Sequence, residues 1–257
     1  MLIDSHCHLT SEALFPTVHA VIHRAVDAGV TEFVTIATDL EDAVKAIALS
    51  DKYRPVHVVA GVHPHEAGKT VDGWDARLLD IARRDDVFGV GEMGLDYHYD
   101  FSDRAAQHRV FRRQLEIAVE VGKPVVIHSR DAHSDVMEIL RDIAPTSGAV
   151  FHCFTGTRGE ADDILDAGYW LSLTGVVTFR RSDGLREIAR SLPADRIMVE
   201  TDSPYLSPEP VRNVRPNEPV TVVHTAACIA QVRGISAEEL AALATANTRR
   251  FFRLPNE

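Results

Sequence analysis

The chain has 257 residues, of which 45% are apolar and 25% charged, and 38 acidic against 27 basic side chains give it a net charge of −11. This composition is typical of a folded globular protein and argues against disorder. Affinity for nucleic acid backbones comes largely from Lys and Arg, and a chain this acidic is therefore a poor general binder of nucleic acid. Any action on nucleic acid is expected at a local site such as a strand end. No apolar run approaches the roughly 18 residues needed to cross a bilayer, and we expect no membrane partner.

The N-terminal residues and the cysteines indicate in which cellular compartment the protein is expected. The opening MLIDSHCH has no basic stretch followed by an apolar run, so no secretory signal is expected. The cysteines Cys7, Cys153 and Cys228 are few, odd in number and without a CxxC pair, which predicts free thiols in a reducing environment. The predicted location is cytoplasmic.

Short apolar runs alternate with helical stretches along the whole chain. The predicted strands are Leu2–Ser5, Phe33–Ala37, Val56–Ala60, Val87–Gly91, Val125–His128, Ala149–His152, Tyr169–Leu173 and Ile197–Thr201. The predicted helices cover about Pro16–Ala28, a stretch from Asp39, Trp74–Arg84, Asp103–Val121, His133–Ile143, a stretch ending at Gly168, Gly184–Ser191, Val220–Arg233 and Ala237–Phe252. Three of these helices are predicted to begin with capping boxes, Thr38-x-x-Glu41, Thr157-x-x-Glu160 and Ser236-x-x-Glu239.

Strict alternation of strands and helices predicts a parallel sheet, and eight such units in this length predict a (β/α)8 TIM barrel. The alternative is an open, doubly wound sheet, which usually has fewer strands and needs a topological switch point. No linker or change of composition divides the chain, so we predict a single domain over residues 1–257. The stretch 203–219 holds five of the 12 prolines and follows the last strand, which predicts its place at the C-terminal rim of the barrel.

The first candidate site residues stand in the opening strand. Asp4, His6 and His8 alternate along the chain and therefore share one face of an extended strand. Two imidazoles on one face form half of a metal site. The alternative is a pair of histidines that only donate or accept hydrogen bonds.

Carboxylate or imidazole side chains, which can bind metal, stand at the ends of four more predicted strands. They are Glu92, His128, His152 and Asp202. Isolated buried charges are costly, and a shared metal ion removes that cost. Four imidazoles and two carboxylates exceed the needs of one zinc ion and suit two divalent ions about 3.5–4 Å apart. The mixed N and O donors favour Zn, Mn or, with added waters, Mg over Ca.

The glycines around Glu92 match a dinucleotide-binding pattern, Gly89-x-Gly91-x-x-Gly94. That reading requires a helix to start at the third glycine, whereas an irregular stretch follows here, and Glu92 would repel a diphosphate. We therefore exclude it and predict that the glycines let the backbone turn closely around Glu92.

Taken together, DSHCHL, GVHPH, GVGEMGLDY, VVIHSRDA, FHCFTG and ETDSPYL make the chain resemble the TatD family of metal-dependent deoxyribonucleases, within the amidohydrolase-like barrels. The resemblance implies a metal-dependent hydrolase that cleaves DNA from a 3′ end and releases 5′-mononucleotides. It also implies site roles: His6 and His8 bind the first metal, Glu92 bridges both, His128 and His152 bind the second, and Asp202 is a ligand and proton acceptor at the first. The loop Pro210–Pro219 departs from the family pattern, since it lacks the usual glycine and has one extra residue.

The same residues suggest a mechanism. Two divalent ions would activate a water, and Asp202 would accept its proton while the water attacks phosphorus. Arg130, which shares a face with His128, and His63 are candidate phosphate contacts. The alternative for Arg130 is a surface or salt-bridged arginine, and the alternative for His63 is a turn imidazole beside Pro64. Further candidates are Tyr205, which would stack on a base or pack internally, and Asp4 and Glu200, which would orient ligand imidazoles.

Three functions follow in order of preference. The first is a metal-dependent deoxyribonuclease acting on single-stranded DNA ends, since an acidic protein disfavours long duplex contacts. No obligate protein partner is evident. The second is an ester or amide hydrolase, for example an aminoacyl-tRNA deacylase, because an activated water attacks carbonyl carbon equally well. The third is a non-catalytic metal-binding protein.

Overall fold

The computed structural model describes residues 1–99 and 101–255. Eight parallel strands follow one another in the sheet in chain order, β1 to β8, without a switch point. This order excludes the doubly wound alternative and confirms the predicted (β/α)8 fold class. The strands are β1 Leu2–Cys7, β2 Val30–Ile36, β3 Val56–Ala60, β4 Val87–Asp96, β5 Val125–Arg130, β6 Ala149–Phe151, β7 Trp170–Leu173 and β8 Ile197–Val199.

The helices also agree with the predicted alternation. They are α1 Val18–Asp27, α2 Leu40–Ser50, α3 Trp74–Ala82, α4 Arg104–Val121, α5 His133–Asp142, α6 Arg158–Asp166, α7 Asp183–Ser191, α8 Val222–Arg233 and α9 Ala237–Phe252. Within the described residues no single helix has the length and apolar composition to span a membrane. The C-terminal helical stretches Pro219–Arg233 and Ala237–Phe252 pass that test only as a joined pair, bent by 110°.

Two compact units make up the chain: residues 1–35 with those from 153 onward, and residues 36–152. We call them the terminal unit and the central unit. The single domain over 1–257 stays a prediction, and its last two positions, 256 and 257, lie outside the described residues.

In the terminal unit, β1 pairs with β2 and β7 pairs with β8, all in parallel. Beyond the end of β8, Ser203 forms an isolated parallel bridge with Cys7 at the end of β1. Helix α9 supports β8, because the buried amide of Asn247 donates to the carbonyls of Ala194 and Ile197 at 2.8 and 2.7 Å. The C-terminal end of β1 and the turn after β8 therefore lie side by side.

In the central unit, two buried glutamines of α4 hold the ends of two strands. Gln107 and Gln114 are two helical turns apart and so share a face. The amide of Gln114 accepts from Val62 N–H and donates to Val62 C=O, at 2.7 and 2.9 Å. Gln107 makes the same pair of bonds to Asp96, at 2.8 and 3.0 Å. One helix therefore fixes the backbone just after β3 and at the end of β4.

Glycines allow β4 to approach β5 closely, whereas the sequence analysis predicted that they let the backbone turn around Glu92. Gly94 has φ +144°, and a Cβ there would lie 1.9 Å from the carbonyl oxygen of His128. Gly91 has φ +146°, and a Cβ there would lie 2.7 Å from the carbonyl oxygen of Val126. No residue with a side chain fits these positions without moving β5.

Two local predictions were wrong. Strand β4 does not end at Gly91 but continues to Asp96, because its glycines permit close pairing with β5 instead of ending the strand. The capping box predicted at Thr38 does not form, because Asp39 is the N-cap and its side chain accepts from Asp42 N–H at 2.8 Å. The other two capping boxes, at Thr157 and Ser236, are confirmed.

Candidate metal centre

The terminal unit brings together His6 and His8 from the end of β1 and Asp202 from the turn after β8. We call these three residues the first cluster. The two Nε2 atoms are 3.3 Å apart. Oδ1 of Asp202 lies 3.3 Å from Nε2 of His8 and 3.7 Å from Nε2 of His6. Both histidines are buried, and the Asp202 side chain is 14% exposed.

These distances fit a single cation. Ligand atoms about 2.0–2.1 Å from a tetrahedral zinc ion are about 3.3–3.4 Å from one another. The three donor atoms of the first cluster have close to this spacing. Two imidazoles and a carboxylate are also a donor set that Zn and Mn accept. The first cluster can therefore hold one divalent ion.

Backbone contacts fix the first cluster from both strands. The N–H of Asp202 donates to the carbonyl of His6 at 3.0 Å, and the N–H of His8 donates to the carbonyl of Ser203 at 2.8 Å. Asp202 has φ 53°, a left-handed conformation that is uncommon for a residue with a side chain. Such a conformation persists only where surrounding contacts stabilise it, and it is frequent at functional sites.

Asp4 provides further support beneath this cluster. Its buried carboxylate accepts from the N–H and the hydroxyl of Thr201, at 2.9 and 2.6 Å, and from the N–H of His6 at 3.4 Å. Burial raises the pKa of Asp4 to about 8 in spite of the Thr201 hydrogen bonds. Asp4 therefore holds the backbone that carries the candidate ligands, and its predicted role in orienting a ligand imidazole stays a prediction.

Residues in and near the proline-rich loop lie close to the first cluster or to the strand ends that carry it. Asn217, buried within the loop that departs from the family pattern, donates through its amide to the carbonyls of Tyr205 and Thr201, at 2.6 and 3.3 Å. Glu200 accepts from the N–H of Cys153 at 2.6 Å. The Tyr205 side chain is 60% exposed, and its ring lies edge-on to His8 at 6.3 Å. The part of Tyr205 in binding a base stays a prediction.

The central unit brings together Glu92 of β4, His128 of β5 and His152, which directly follows β6. We call these three residues the second cluster. Oε1 of Glu92 lies 2.7 Å from Nδ1 of His128 and 2.6 Å from Nε2 of His152. The two imidazole nitrogens are 3.5 Å apart. Although burial raises the pKa of Glu92, the imidazoles of His152 and His128 hold it well below its ordinary value. The carboxylate is therefore ionised, as a metal ligand must be.

His63 lies beside this cluster. Its Nε2 is 3.4 Å from Oε1 of Glu92, and donor atoms of His63, Glu92 and His128 all lie within 4.8 Å of one another. Nδ1 of His63 accepts from the N–H of His65 at 3.0 Å, which leaves the ring proton on Nε2. Burial lowers the pKa of His63 to about 4, so the ring is neutral at pH 7. His63 thus offers an N–H donor at the second cluster.

Sequence analysis missed Asp96, which lies at the end of β4. Its Oδ2 lies 3.0 Å from Nε2 of His128 and 2.8 Å from Nε2 of His65. Its Oδ1 accepts from the N–H groups of His98 and Tyr99, both at 2.9 Å. Burial favours its neutral form, but the His128 and Tyr99 hydrogen bonds lower the pKa of Asp96 below its ordinary value. Asp96 is therefore a charged hydrogen-bond acceptor for the ring of His128, a candidate metal ligand.

Arg130 lies at the end of β5, where it pairs in register with Asp96. Its side chain is exposed, and its guanidinium carbon lies 4.7 Å from the centre of the Tyr99 ring. The phosphate contact predicted for Arg130 stays a prediction. Each unit thus assembles three of the six predicted ligands, and the bridging role predicted for Glu92 stays a prediction.

Comparison with known proteins gives consistent matches. Residues 3–253 match the family described as TatD related DNase. The chain is 36% identical to the metal-dependent hydrolase YabD of Bacillus subtilis, over 99% of this chain and 100% of that protein. It is 39% identical to the 3'-5' ssDNA/RNA exonuclease TatD of Erwinia billingiae, again over 99% and 100%. The solved structure of the TatD homologue YJJV from Escherichia coli K12 has a TM-score of 0.94 and 28% identity, covering 99% of this chain and 98% of that one.

Proposed function

The chain belongs to the TatD-related DNase family, and we propose that it is a divalent-metal-dependent nuclease that removes nucleotides from the 3′ end of single-stranded DNA. Its relatives include proteins named metal-dependent hydrolase and 3'-5' ssDNA/RNA exonuclease. The observation that carries the proposal is the first cluster, in which one carboxylate oxygen and two imidazole nitrogens lie 3.3 to 3.7 Å from one another, close to the spacing of ligand atoms around one ion. Such a donor set suits Zn, Mn or Mg ions.

Each cluster would hold one ion. His6, His8 and Asp202 would bind the first, and Glu92, His128 and His152 the second. Bound divalent ions supply positive charge that stabilises the phosphate oxygens and lowers the pKa of an attacking water. The protein fixes the ligands in advance, because backbone hydrogen bonds and buried carboxylates hold them in place.

The remaining roles belong to side chains of this protein. Asp202 would accept a proton from the attacking water, since its carboxylate is partly exposed at the first cluster. The Nε2–H of the neutral His63 would donate to a phosphate oxygen next to the second cluster. Arg130 would bind a phosphate through its exposed guanidinium, which suits that anion in both charge and shape.

A test of the proposed function uses a 5′-labelled single-stranded oligonucleotide. With added Mg, Mn or Zn ions, we expect a ladder of products shortened from the 3′ end, and no products after treatment with EDTA. An Asp202→Asn protein purified in parallel controls for contaminating nucleases. RNA of the same sequence and aryl and aminoacyl esters are assayed beside the DNA.

The outcomes separate the three functions considered for this chain. Hydrolysis of esters without hydrolysis of DNA would replace the nuclease with an ester hydrolase. A protein that binds metal but hydrolyses neither class of substrate would be the non-catalytic alternative. Shortening from the 5′ end would overturn the proposed direction while leaving the phosphodiesterase activity in place.

A further inference from the structure

Two exposed aromatic rings follow β4 in the central unit. Tyr99 is 40% exposed and Phe101 is 65% exposed. Their ring centres are 5.4 Å apart and their planes differ by 23°, which is a stacked arrangement. Large aromatic side chains normally bury most of their surface, so a stacked pair open to solvent is typical of a binding surface.

The pair is connected to the second cluster through His65. The ring of His65 lies edge-on to Phe101 at 4.8 Å and to Tyr99 at 5.7 Å. On its other side, His65 shares the carboxylate of Asp96 with His128, and the His65 and His128 ring centres are 6.0 Å apart. One imidazole therefore separates the exposed rings from a candidate metal ligand.

A cation lies against the Tyr99 ring of this pair. The guanidinium of Arg130 is 4.7 Å from the Tyr99 ring centre, and Arg130 is only two residues beyond His128 on β5. Aromatic faces next to an exposed arginine are the combination with which proteins bind single-stranded nucleic acids, because the rings stack on bases and the cation attracts the phosphates. In this overall acidic chain, such a combination beside the candidate site is complementary to one nucleotide, not to a long duplex.

We infer that Tyr99, Phe101 and Arg130 form the binding surface for a nucleotide adjoining the scissile phosphate of a single strand. The base extends the Tyr99–Phe101 stack on the exposed side of Phe101, and Arg130 contacts the phosphate. Every base has a flat face, so this surface binds bases with little sequence preference. The inference rests on the proposed function, since it assigns a substrate contact to the same site.

The experiment measures binding separately from turnover. All variants are made in an Asp202→Asn background, and the probe is a single-stranded oligonucleotide with 2-aminopurine at one of its last two 3′ positions. Stacking on an aromatic ring quenches this base, so the Asp202→Asn parent is expected to quench it. Phe101→Ala should abolish the quenching and raise Kd roughly 5- to 150-fold. Phe101→Trp should preserve both.

Two controls make the result specific to the base. Phe15, also exposed but located before α1 in the terminal unit, is changed to Ala and should leave quenching and Kd unchanged. A second probe carries abasic sites at the two 3′ positions, and Phe101→Ala should alter its Kd by less than about twofold. Thermal unfolding of each variant establishes that it is folded.

The inference is overturned if Phe101→Ala leaves Kd and quenching unchanged, or if it weakens the abasic probe as much as the base-carrying one. It is also overturned if Tyr205→Ala alone abolishes the quenching. Hydrolysis of DNA by the unsubstituted protein is measured in parallel. If hydrolysis is seen without base quenching, the binding surface is wrong and the nuclease stands; if quenching is seen without hydrolysis, the nuclease is wrong and the surface stands.

Discussion

Nε2 of His128 lies 3.0 Å from Oδ2 of Asp96, on the ring edge opposite Nδ1, which faces Glu92. The ionised Asp96 accepts from Nε2–H, and when a metal ion replaces the proton on Nδ1 that faces Glu92, it would favour the tautomer whose Nδ1 lone pair binds that ion. The orientation of Asp96 is in turn fixed by the N–H groups of His98 and Tyr99. Asp96 is thus a positioning residue for His128.

Replacing Asp96 should weaken metal binding at the second cluster. We expect Asp96→Ala to lower metal affinity roughly 10- to 100-fold, because His128 loses the acceptor that orients its ring. Activity should recover at high metal concentration, and Asp96→Asn, which keeps an acceptor oxygen, should have an intermediate effect. Metal titration by calorimetry measures this, with the exposed Asp131→Asn as the control. Unchanged metal affinity in a folded Asp96→Ala protein would contradict the positioning role.

Removing a ligand carboxylate should remove catalysis without unfolding the protein. Glu92→Gln and Asp202→Asn keep the shape of the side chain but lose its charge, and several kcal/mol of transition-state stabilisation are lost with the ion. We expect turnover to fall by roughly 10³-fold or more. Elemental analysis of the purified proteins should report fewer bound ions, with Glu116→Gln, an exposed carboxylate of α4, as the control. A folded double variant that remains active would refute the site.

Truncating Arg130 should affect substrate binding more than chemistry. Arg130→Ala removes a charged hydrogen-bond donor to phosphate, for which a rise in KM of roughly tenfold is expected, with a smaller change in kcat. Arg130→Lys should recover part of the loss, since it keeps the charge but not the planar fork. Steady-state kinetics on single-stranded DNA measures both constants. Arg112→Ala, at an exposed ion pair with Asp142, is the matched control, and an unaltered KM for Arg130→Ala would count against the phosphate contact.

Adding one methyl group to Gly94 should destabilise the central unit. A Cβ there would overlap the carbonyl oxygen of His128, and its φ of +144° disfavours any side chain. We expect Gly94→Ala to lower the free energy of unfolding by roughly 3 kcal/mol. Gly159→Ala in α6 is the control, because a Cβ there contacts nothing within 4 Å and alanine favours helix. Denaturant unfolding of both proteins decides the matter, and equal stabilities would mean that β4 and β5 separate easily.

The thiol of Cys7 should be unreactive while the protein is folded. Burial raises its pKa well above the ordinary value, and the side chain has no exposed surface. Because the thiolate is the reactive form, alkylation at pH 8 should leave Cys7 unmodified and reach it only in denaturant. Mass spectrometry of peptides labelled before and after unfolding measures this. Modification of Cys7 in the folded protein would mean that β1 opens under native conditions.

The candidate ligands could be singled out in the sequence because each lies at or just beyond the end of a short apolar run. His128 directly follows three buried residues of β5, and His152 directly follows β6, so the boundary between apolar and polar residues marks the rim. The fold class could be predicted for the same reason, since eight such boundaries alternate with helices. These signals lie within one short segment each and need no knowledge of distant contacts.

Asp96 and the α4 glutamines could not be predicted in the same way. The glycines of β4 resemble turn residues, so the predicted strand stopped before Asp96, although Glu92 and Asp96 alternate onto one face of a continuous strand. Gln107 and Gln114 occupy an otherwise apolar helix face at a spacing of seven residues, which is a detectable pattern. Their partners, however, depend on the tertiary structure, and no local pattern specifies them.

The two clusters differ in how much of the polypeptide must be synthesised before they can form. Glu92 and His128 are 36 positions apart, and His128 and His152 are 24 apart. Asp4 and Thr201, whose contact supports the first cluster, are 197 apart. During translation the second cluster's side chains are all synthesised before the first cluster's last candidate ligand, Asp202. A nascent chain therefore acquires its two sets of donors at separate times, and the longer loop closure comes last.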